Sequence, residues 1–322
     1  MNYTVKTSPH IRGKDTTARL MEDVVDALIP TIAAGTVFFG LRALAVTAVC
    51  AAGALAGEAV FRLTAGRPQT LHDRSAAVTG LLLAMTLPAS TPYWLAAVGG
   101  FLATLLFKGL CGGLAQNAFN PALAARALLL LLWPVHLTRY PPAGTRLPLF
   151  GAVDAVSSAT PLHEMQMPAL PHVSLWDMFV GNVGDCIGEV SSLALLLGGA
   201  YLLARRVIRP HIPLAYVGTA ALLTFLFSRG QPPLLWMAYN LLGGGILLGA
   251  FFMATDYATS PVTPKGQLLY GAGCGALTVL FRYTGLFPEG FTYAILFMNA
   301  AAWTIDRLTP PRRFGTQKGA AP

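Results

Sequence analysis

Long apolar runs recur along the whole chain, and they restrict its fold more than any other feature. Ten runs of roughly 15 to 20 apolar residues are each bounded by glycine, proline or charge. Hydrophobic residues make up 54% of the chain and charged residues only 11%, whereas soluble domains average about 25% charged residues. Because the lipid bilayer is the solvent that suits this composition, we predict an all-α polytopic membrane protein.

The runs define about ten transmembrane helices. They lie roughly at 24–41, 43–62, 75–90, 93–110, 121–135, 187–204, 212–228, 234–254, 268–283 and 290–306. The third, fifth and ninth are short for a full bilayer. We nevertheless prefer ten spans to eight, because with ten spans most basic residues fall on one side of the membrane.

Basic residues fall mostly on one side of the predicted membrane. With a cytoplasmic amino terminus, sixteen Lys and Arg lie in inside segments and five in outside segments, and Arg126 is left within a span. This bias predicts both termini in the cytoplasm and residues 136–186 outside. In a soluble protein a net charge of +8 would point to nucleic acid. Here the basic residues separate apolar runs, so we expect a lipid membrane and no nucleic acid as partner.

The two halves of the chain match at a constant offset. Adding 169 to a position maps four residues onto identical ones: Gly80 onto Gly249, Thr86 onto Thr255, Ala89 onto Ala258 and Pro92 onto Pro261. With five spans in each half, the second half enters the membrane in the opposite sense, as in many transporters. We therefore predict two inverted five-helix repeats, residues 1–135 and 187–306, with an outer loop at 136–186 and a cytoplasmic tail at 307–322. The alternative is coincidence between Ala- and Gly-rich helices.

Thr86 and Asp256 lie in the matching segments 79–88 and 249–256, where helix passes into polar loop. An ion path between repeats would be built there. The alternative is that glycine and proline mark only helix ends and close packing. Glu58 and Arg126 are the other ionisable residues nearest membrane depth. Such charge indicates function by default, unless the groups pair or snorkel.

The cysteines and histidines predict no metal site. The four cysteines are far apart without a C-x-x-C, and the six histidines lie at or beyond the ends of the runs, which excludes a self-contained iron–sulfur cluster, a zinc site and a bis-histidine haem. Cys50 and Cys274 fall inside apolar runs, so we expect small buried side chains rather than disulfides. The absence of a dinucleotide or Walker motif predicts that the chain does not bind NADH itself.

The predicted outer loop contains the segment Asp154-Ala-Val-Ser-Ser-Ala-Thr-Pro-Leu, which reads first as an exposed turn. It resembles the flavinylation motif of proteins that carry FMN in a phosphoester bond to threonine. The resemblance implies that an FMN transferase outside the membrane attaches FMN to Thr160, while Asp154, Ser157 and Ala159 complete the motif. Ser158 stands where the motif usually has glycine. The charge bias independently places Thr160 on the outer side.

Other segments carry a resemblance that runs nearly end to end. They are Ser8-Pro-His-Ile-Arg12, residues 73–84, residues 112–126, residues 251–256, residues 259–266, Pro288-Glu-Gly290 and Met298-Asn299. These segments are similar to the D subunit of the Rnf, or Rsx, ion-translocating electron-transport complex. They are more distantly similar to the B subunit of the sodium-pumping NADH:quinone oxidoreductase. The usual Pro-Val is replaced by Tyr257-Ala258.

The resemblance implies a membrane flavoprotein in the bacterial inner membrane that is active only within a multisubunit complex. Such a protein relays electrons through covalently bound FMN and is coupled to ion translocation. The resemblance also implies a further, non-covalent flavin in the membrane part. The alternative from another class is a small-solute channel or secondary transporter that has inverted repeats and no redox role.

Overall fold

The computed structural model describes residues 16–113, 116–142, 144–150, 160–285 and 289–310. Within these ranges the chain is all-helical, as predicted, and its one β-bridge joins Pro88 to Cys186. The α-helices are α1 Thr17–Phe39, α2 Leu41–Thr64, α3 Ser75–Met85, α4 Tyr93–Leu102, α5 Pro121–Leu132, α6 Pro134–Leu137, α7 Pro161–Glu164, α8 Leu175–Val180, α9 Ser192–Ala204, α10 His211–Leu226, α11 Pro233–Leu242, α12 Ile246–Leu248, α13 Pro264–Thr284 and α14 Phe291–Leu308. π-Helical turns extend α4 through Ala103–Leu110 and α12 through Gly249–Met253.

Two helices of the described chain are long and apolar enough to cross a membrane, α2 and α4 with its extension. They pack closely because a glycine removes the side chain at the crossing. A Cβ atom on Gly100 would lie 2.1 Å from the carbonyl oxygen of Cys50. Close backbone approach at small residues is the usual way in which helices associate in lipid.

The helices α10 and α13 make the corresponding contact in the second half. A Cβ atom on Gly275 would lie 2.6 Å from the carbonyl oxygen of Tyr216. The hydroxyl of Tyr216 lies 2.7 Å from that of Thr278 in the same interface. The two halves therefore each contain a helix pair held at short range by glycine.

The predicted span 234–254 is broken in the structure. The helices α11 and α12 meet at an angle of 62° across residues 243–245, so the pair forms a bent span or a re-entrant loop. Gly244 and Gly245 both have positive φ, at 62° and 69°, a conformation that is unfavourable for residues with a side chain. Four further apolar helices, α3, α5, α9 and α10, have 10–17 residues. The number of ten spans stays a prediction.

Residues 160–191 lie against the ends of helices from both halves. Here Met165 and Met178 pack with Trp236 and Tyr239 of α11 in a small apolar cluster of their own. Further along, the backbone amide of Gly188 donates to the carbonyl of Met85 at 2.8 Å. This bond, and the bridge to Pro88, bring residues 185–189 to the carboxyl end of α3. Cys50 and Cys274 are buried free thiols in the core, as predicted.

Candidate functional site

Charged side chains from three parts of the chain meet beside α3. Arg126 comes from α5, Glu289 precedes α14, and Asp185, Cys186 and Glu189 come from the segment before α9. We call these five residues the carboxylate cluster. Four of them are buried, and one ligand atom from each of the three acids and the thiol lies within 4.8 Å of the others.

Arg126 is the centre of this cluster. Its Nη1 lies 3.3 Å from Oε1 of Glu189, its Nη2 pairs with Glu289, and Nη2 donates to the Cys186 sulfur at 3.7 Å. The guanidinium also lies over the ring of Phe291, 5.3 Å from its centroid. Of the alternatives left open for this intramembrane charge, the structure therefore shows pairing. A buried cation with two carboxylate partners is costly to disturb, because removing one partner leaves an uncompensated charge.

Glu289 connects the carboxylate cluster to a cavity of about 240 Å³. Its Oε1 accepts a hydrogen bond from the Tyr140 hydroxyl at 2.7 Å. The cavity is lined by Leu130, Thr138, Tyr140, Thr160, Glu289, Gly290, Thr292 and Tyr293. Thr160 and one member of the carboxylate cluster, Glu289, thus line the same cavity, together with two tyrosines.

Thr160 begins a short helix instead of lying in an exposed turn. Its Oγ1 accepts a hydrogen bond from the amide of His163 at 3.2 Å, and Pro161 occupies the first helical position of α7, where its missing amide hydrogen costs nothing. Thr160 is only 8% exposed. The other motif residues, Asp154, Ser157 and Ala159, lie outside the described residues, and attachment of FMN to Thr160 stays a prediction.

Two aspartates near this site differ in environment. Asp185 precedes the predicted span 187–204, and burial raises its pKa to about 7, with the charge of Glu289 adding to the effect. Asp177 is partly exposed, and hydrogen bonds from Ser174 and Asn182 lower its pKa. Burial disfavours a carboxylate, whereas donors directed at it favour the ionised form.

A second charged group lies in the first half of the chain. The Lys108 ammonium donates to Oε2 of Glu58 and to the Ser75 hydroxyl, both at 2.6 Å. The Thr70 hydroxyl donates to Oε1 of Glu58 at 2.6 Å, and Arg62 lies 3.9 Å from the same oxygen. We call Glu58, Lys108, Ser75, Thr70 and Arg62 the lysine cluster. Glu58 is therefore paired as well, within its own half.

Neutral amides join the two halves next to the lysine cluster. The backbone amide of Asn120 donates to Oδ1 of Asn299 at 3.1 Å, and the Asn120 side chain donates to the carbonyl of Met253 at 3.1 Å. The Asn299 side chain donates to the Tyr270 hydroxyl at 2.7 Å. We call Asn120 and Asn299 the amide pair.

Thr86 and Asp256 lie in different polar groups. The carbonyl of Thr86 accepts from the Cys186 thiol at 3.1 Å, which places Thr86 beside the carboxylate cluster. Asp256 lines a cavity of about 90 Å³ together with Ser75, Lys108 and Asn120. The contacts that the structure shows therefore do not bring Thr86 and Asp256 into one site.

Most of the carboxylate cluster is not evident from the sequence. Arg126 stands out as an intramembrane charge, but Cys186, Glu189 and Glu289 do not stand out as its partners. Glu189 lies at the edge of an apolar run, and Glu289 lies between proline and glycine, so each looks like a residue at a helix end. Only Arg126 itself indicated such a cluster in the sequence, because a buried arginine needs acidic partners.

Comparison with known proteins gives a match over nearly the whole chain. Residues 4–315 match the model of the NQR2, RnfD, RnfE family. The D subunit of the Na⁺-translocating ferredoxin:NAD⁺ oxidoreductase complex of Acetobacterium woodii is 46% identical, with 99% of this chain and 97% of that protein covered. The D subunit of the proton-translocating ferredoxin:NAD⁺ oxidoreductase complex of Clostridium ljungdahlii is 38% identical, with coverages of 98% and 97%. The D subunit of an ion-translocating oxidoreductase complex of Marinobacter nauticus is also 38% identical, with coverages of 99% and 97%.

Proposed function

Because this chain belongs to the NQR2, RnfD, RnfE family, we propose that it is the D subunit of an ion-translocating ferredoxin:NAD⁺ oxidoreductase complex. In that role it takes part in electron transfer coupled to movement of an ion across the membrane. The observation that carries the proposal is the match at 46% identity over 99% of the chain to a protein of that name. The channel alternative has no such support, since these relatives are named as parts of oxidoreductase complexes.

The proposal includes covalent FMN on Thr160. Three observations support it: the motif around Thr160, the position of Thr160 on the cavity wall, and the tyrosines that line the same cavity. The cavity volume of about 240 Å³ is near the lower limit of the volumes of ligand pockets. Its lining therefore fits the end of the cofactor that would be attached to Thr160. When bound, FMN would supply the electron-carrying chemistry.

The chain's own residues would set the electrostatics around that position. Arg126 lies behind Glu289 and holds its carboxylate at the cavity wall, and Tyr140 donates a hydrogen bond to the same carboxylate. Because these groups are largely removed from water, their charges act strongly over short distances. Thr160 would hold the phosphoryl group through its side-chain oxygen.

Flavin fluorescence in a denaturing gel tests the attachment site. The complex is expressed together with an FMN transferase, and the band of this chain should fluoresce in the wild type and be dark in Thr160→Ala. Thr138→Ala is the matched control, because Thr138 lines the same cavity and its substitution should leave the fluorescence unchanged. A fluorescent Thr160→Ala band would refute the site, and a dark wild-type band would refute covalent flavin on this chain.

We also propose the inverted repeat. Adding 169 to the bounds of α3 gives 244–254, which overlaps the helix from Ile246 to Met253, and adding 169 to α5 gives 290–301, which overlaps α14. Contacts across the halves are reciprocal as well. Asn120, just before α5, bonds to Asn299 of α14, and its counterpart at the same offset, Glu289, pairs with Arg126 of α5. A two-fold relation between halves requires contacts of this self-complementary kind.

The proposed topology, with Thr160 on the periplasmic side of the bacterial inner membrane, has support from two separate sets of contacts. Predicted outside residues contact one another: Arg42 donates to the carbonyl of Pro148, and Ser90 donates to that of Arg139. Predicted inside residues do the same, as Arg205 pairs with Asp23 and Arg74 with Glu22. Labelling of single cysteines by a membrane-impermeant thiol reagent in intact cells tests the assignment.

Thr86 and Asp256 remain our proposed positions along an ion path, now as two separate points. Replacing Asp256 by Asn should uncouple ion transport from electron transfer in the assembled complex, since the substitution removes a charge from the cavity beside Lys108. Normal coupling in that variant would exclude Asp256 from the path. A second, non-covalent flavin also belongs to the proposal, and flavin released from the complex by denaturation would be its direct measure.

A further inference from the structure

A cavity of about 410 Å³ lies at the carboxyl end of α9. It shares no lining residue with the Thr160 cavity, and its volume is within the range of sites that bind small molecules. Arg206 and Arg209 line it, and no acidic side chain does so among the described residues. Apolar side chains, including Val207, Ile208 and Ile212, form much of the remaining wall. The cavity therefore combines positive charge with apolar surface.

Arg206 occupies a backbone position at which glycine is usual. The helix α9 ends at Ala204. The amide of Arg206 donates to the carbonyl of Leu203 at 3.1 Å, and that of Val207 donates to the carbonyl of Leu202 at 2.9 Å. These two bonds form a Schellman motif. Arg206 has a φ of 59°, a left-handed conformation that is unfavourable for any residue with a Cβ atom. The backbone alone thus favours glycine, and the arginine side chain is the feature to explain.

The other arginines in this conformation have polar partners. Three residues other than glycine have positive φ in the described chain, namely Arg74, Arg206 and Arg229. Arg74 pairs with Glu22, and Arg229 donates to two backbone carbonyls. The side chain of Arg206 makes no hydrogen bond or ion pair within the residues that the structure describes, and neither does that of Arg209. Both arginines of the cavity therefore keep their donors for a partner outside the described chain.

A third polar group of the cavity also lacks a partner. The side-chain nitrogen of Gln267 donates to the carbonyl of Pro261 at 3.1 Å, which determines the orientation of the amide. Its Oε1 is buried and accepts no hydrogen bond in the part of the chain that is described. A buried acceptor without a donor is costly. A ligand that completes this cavity therefore carries negative charge for the arginines and a hydrogen-bond donor for Gln267.

The position of the cavity indicates the source of such a ligand. On the proposed topology, residues 205–211 and 255–267 lie on the cytoplasmic side of the membrane, and Tyr257 of the second segment donates to the carbonyl of Val207 in the first. Leu214, in the first turn of α10, is 69% exposed, which suits a side chain in contact with acyl chains. Basic pockets at the cytoplasmic ends of transmembrane helices bind the headgroups of acidic lipids.

We infer that this cavity binds the headgroup of an acidic glycerophospholipid of the phosphatidylglycerol class. The phosphodiester pairs with Arg206 and Arg209, and a glycerol hydroxyl donates to Oε1 of Gln267. Guanidinium groups suit this role because they form charge-assisted, bidentate hydrogen bonds to phosphate oxygens. Inorganic phosphate would satisfy the arginines but would leave the apolar wall uncovered. The site is separate from the proposed redox role and goes beyond it.

Native mass spectrometry of the purified intact complex tests the inference. The complex is depleted of lipid in detergent and is then supplied with equal amounts of phosphatidylglycerol and phosphatidylcholine. The wild type should retain phosphatidylglycerol in preference. Arg206→Gly and Arg209→Gln should each retain one phosphatidylglycerol fewer, or bind it at least about tenfold more weakly, which corresponds to roughly 1.4 kcal/mol.

Arg206→Gly separates loss of the ligand from loss of the fold. Glycine is the favoured residue at this position of a Schellman motif, so the lipid-depleted variant should unfold at the wild-type temperature or slightly above it. Added phosphatidylglycerol should raise the unfolding midpoint of the wild type more than that of the variant. If Arg206→Gly does not assemble, Arg206→Asn decides, because asparagine also tolerates positive φ.

Lys265→Gln is the matched control, because Lys265 is an exposed basic residue beside the cavity segment and does not line the cavity. It should retain as much phosphatidylglycerol as the wild type. A second comparison tests the hydroxyl, since phosphatidylmethanol has the same phosphodiester charge without a glycerol hydroxyl. The wild type should prefer phosphatidylglycerol to phosphatidylmethanol, and Gln267→Leu should abolish this preference.

Retention of phosphatidylglycerol at the wild-type level in both arginine variants would overturn the inference. So would an equal loss of lipid in Lys265→Gln, since the charge of the surface alone would then attract the lipid. If inorganic phosphate raises the unfolding midpoint of the wild type as much as phosphatidylglycerol does, the cavity holds a free anion and not a lipid. Loss of another subunit from the arginine variants, without loss of phosphatidylglycerol, would assign the arginines to an acidic segment of that partner.

Discussion

The carboxylate cluster and the lysine cluster are both buried and charged, but they are built differently. In the lysine cluster one acid, Glu58, faces Lys108 and Arg62, and all three residues come from the first half of the chain. In the carboxylate cluster Arg126 contacts two of the three acids, Glu189 and Glu289, and these partners come from the other half of the chain. The first cluster has two cations for its one acid, whereas the second has three acids for its one contacting cation.

This difference separates a structural role from a functional one. A cluster with sufficient countercharge inside one half has no need of a ligand and holds helices together. A cluster with more acids than contacting cations, placed between halves and next to a cavity, responds to any charge that enters that cavity. Perturbed and unbalanced charge of the second kind is typical of functional sites. The comparison can be tested by removing parts of each cluster.

The largest effect should follow from removing the arginine of the carboxylate cluster. Arg126→Met leaves the buried Glu189 and the partly buried Glu289 without their contacting cation, at a cost of about 3–5 kcal/mol in the free energy of unfolding. Lys108→Met should cost less, about 1–3 kcal/mol, because Glu58 keeps Thr70 and Arg62 as partners. Thermal unfolding of the detergent-solubilised complex measures both. Equal costs would contradict the distinction between the clusters.

A smaller effect is expected in the neutral contact beside the lysine cluster. Asn120→Ala removes the amino-terminal cap of α5 and the bond to the carbonyl of Met253, which should cost about 1–2 kcal/mol. Asn117→Ala is the control, because Oδ1 of Asn117 is buried without a partner in the described part of the chain. The same measurement should show a smaller loss of unfolding free energy for the control. A larger loss in Asn117→Ala than in Asn120→Ala would contradict a stabilising contact between the two halves at the amide pair.

Thr160→Ala should have a still smaller effect on stability when no flavin is attached. It removes the cap of α7, a helix of only four residues, so the expected cost is about 0.5–1 kcal/mol. Thr160→Ser keeps the capping oxygen and should be close to the wild type. Unfolding of protein expressed without the transferase measures the difference. A loss of several kcal/mol in Thr160→Ala would mean that Thr160 is mainly a structural residue.

The smallest effect concerns Asp177, a partly exposed carboxylate that serves as a reference for the buried ones. Its lowered pKa means that the ionised form favours the folded state. This contribution is present above the ordinary value of 3.8 and is lost as the pH falls through the lowered pKa. The wild type should therefore exceed Asp177→Asn in unfolding midpoint near neutral pH, and the difference should vanish in acid. A difference that grows in acid would have the wrong sign.

The sequence predicted the fold class because apolar composition and run length determine it locally. It also predicted that Cys50 and Cys274 are buried thiols, and it singled out Arg126 and Glu58 as charges at membrane depth. The broken span at Gly244 was not predicted, because an apolar run looks the same whether or not its helix is bent. The partners of Arg126 were missed because contacts between residues 126, 189 and 289 depend on tertiary packing.

If FMN is attached to Thr160 as proposed, burial of this residue has a consequence for how the protein matures. A hydroxyl that is 8% exposed and engaged as a helix cap cannot enter the active site of another enzyme. On that proposal, flavin would have to be attached before residues 160–191 pack against α11, or after that segment detaches. Once closed, the same packing would shield the phosphoester from water. The order of events in biogenesis would then decide the outcome, because a transferase that acts after residues 160–191 have packed could no longer modify Thr160.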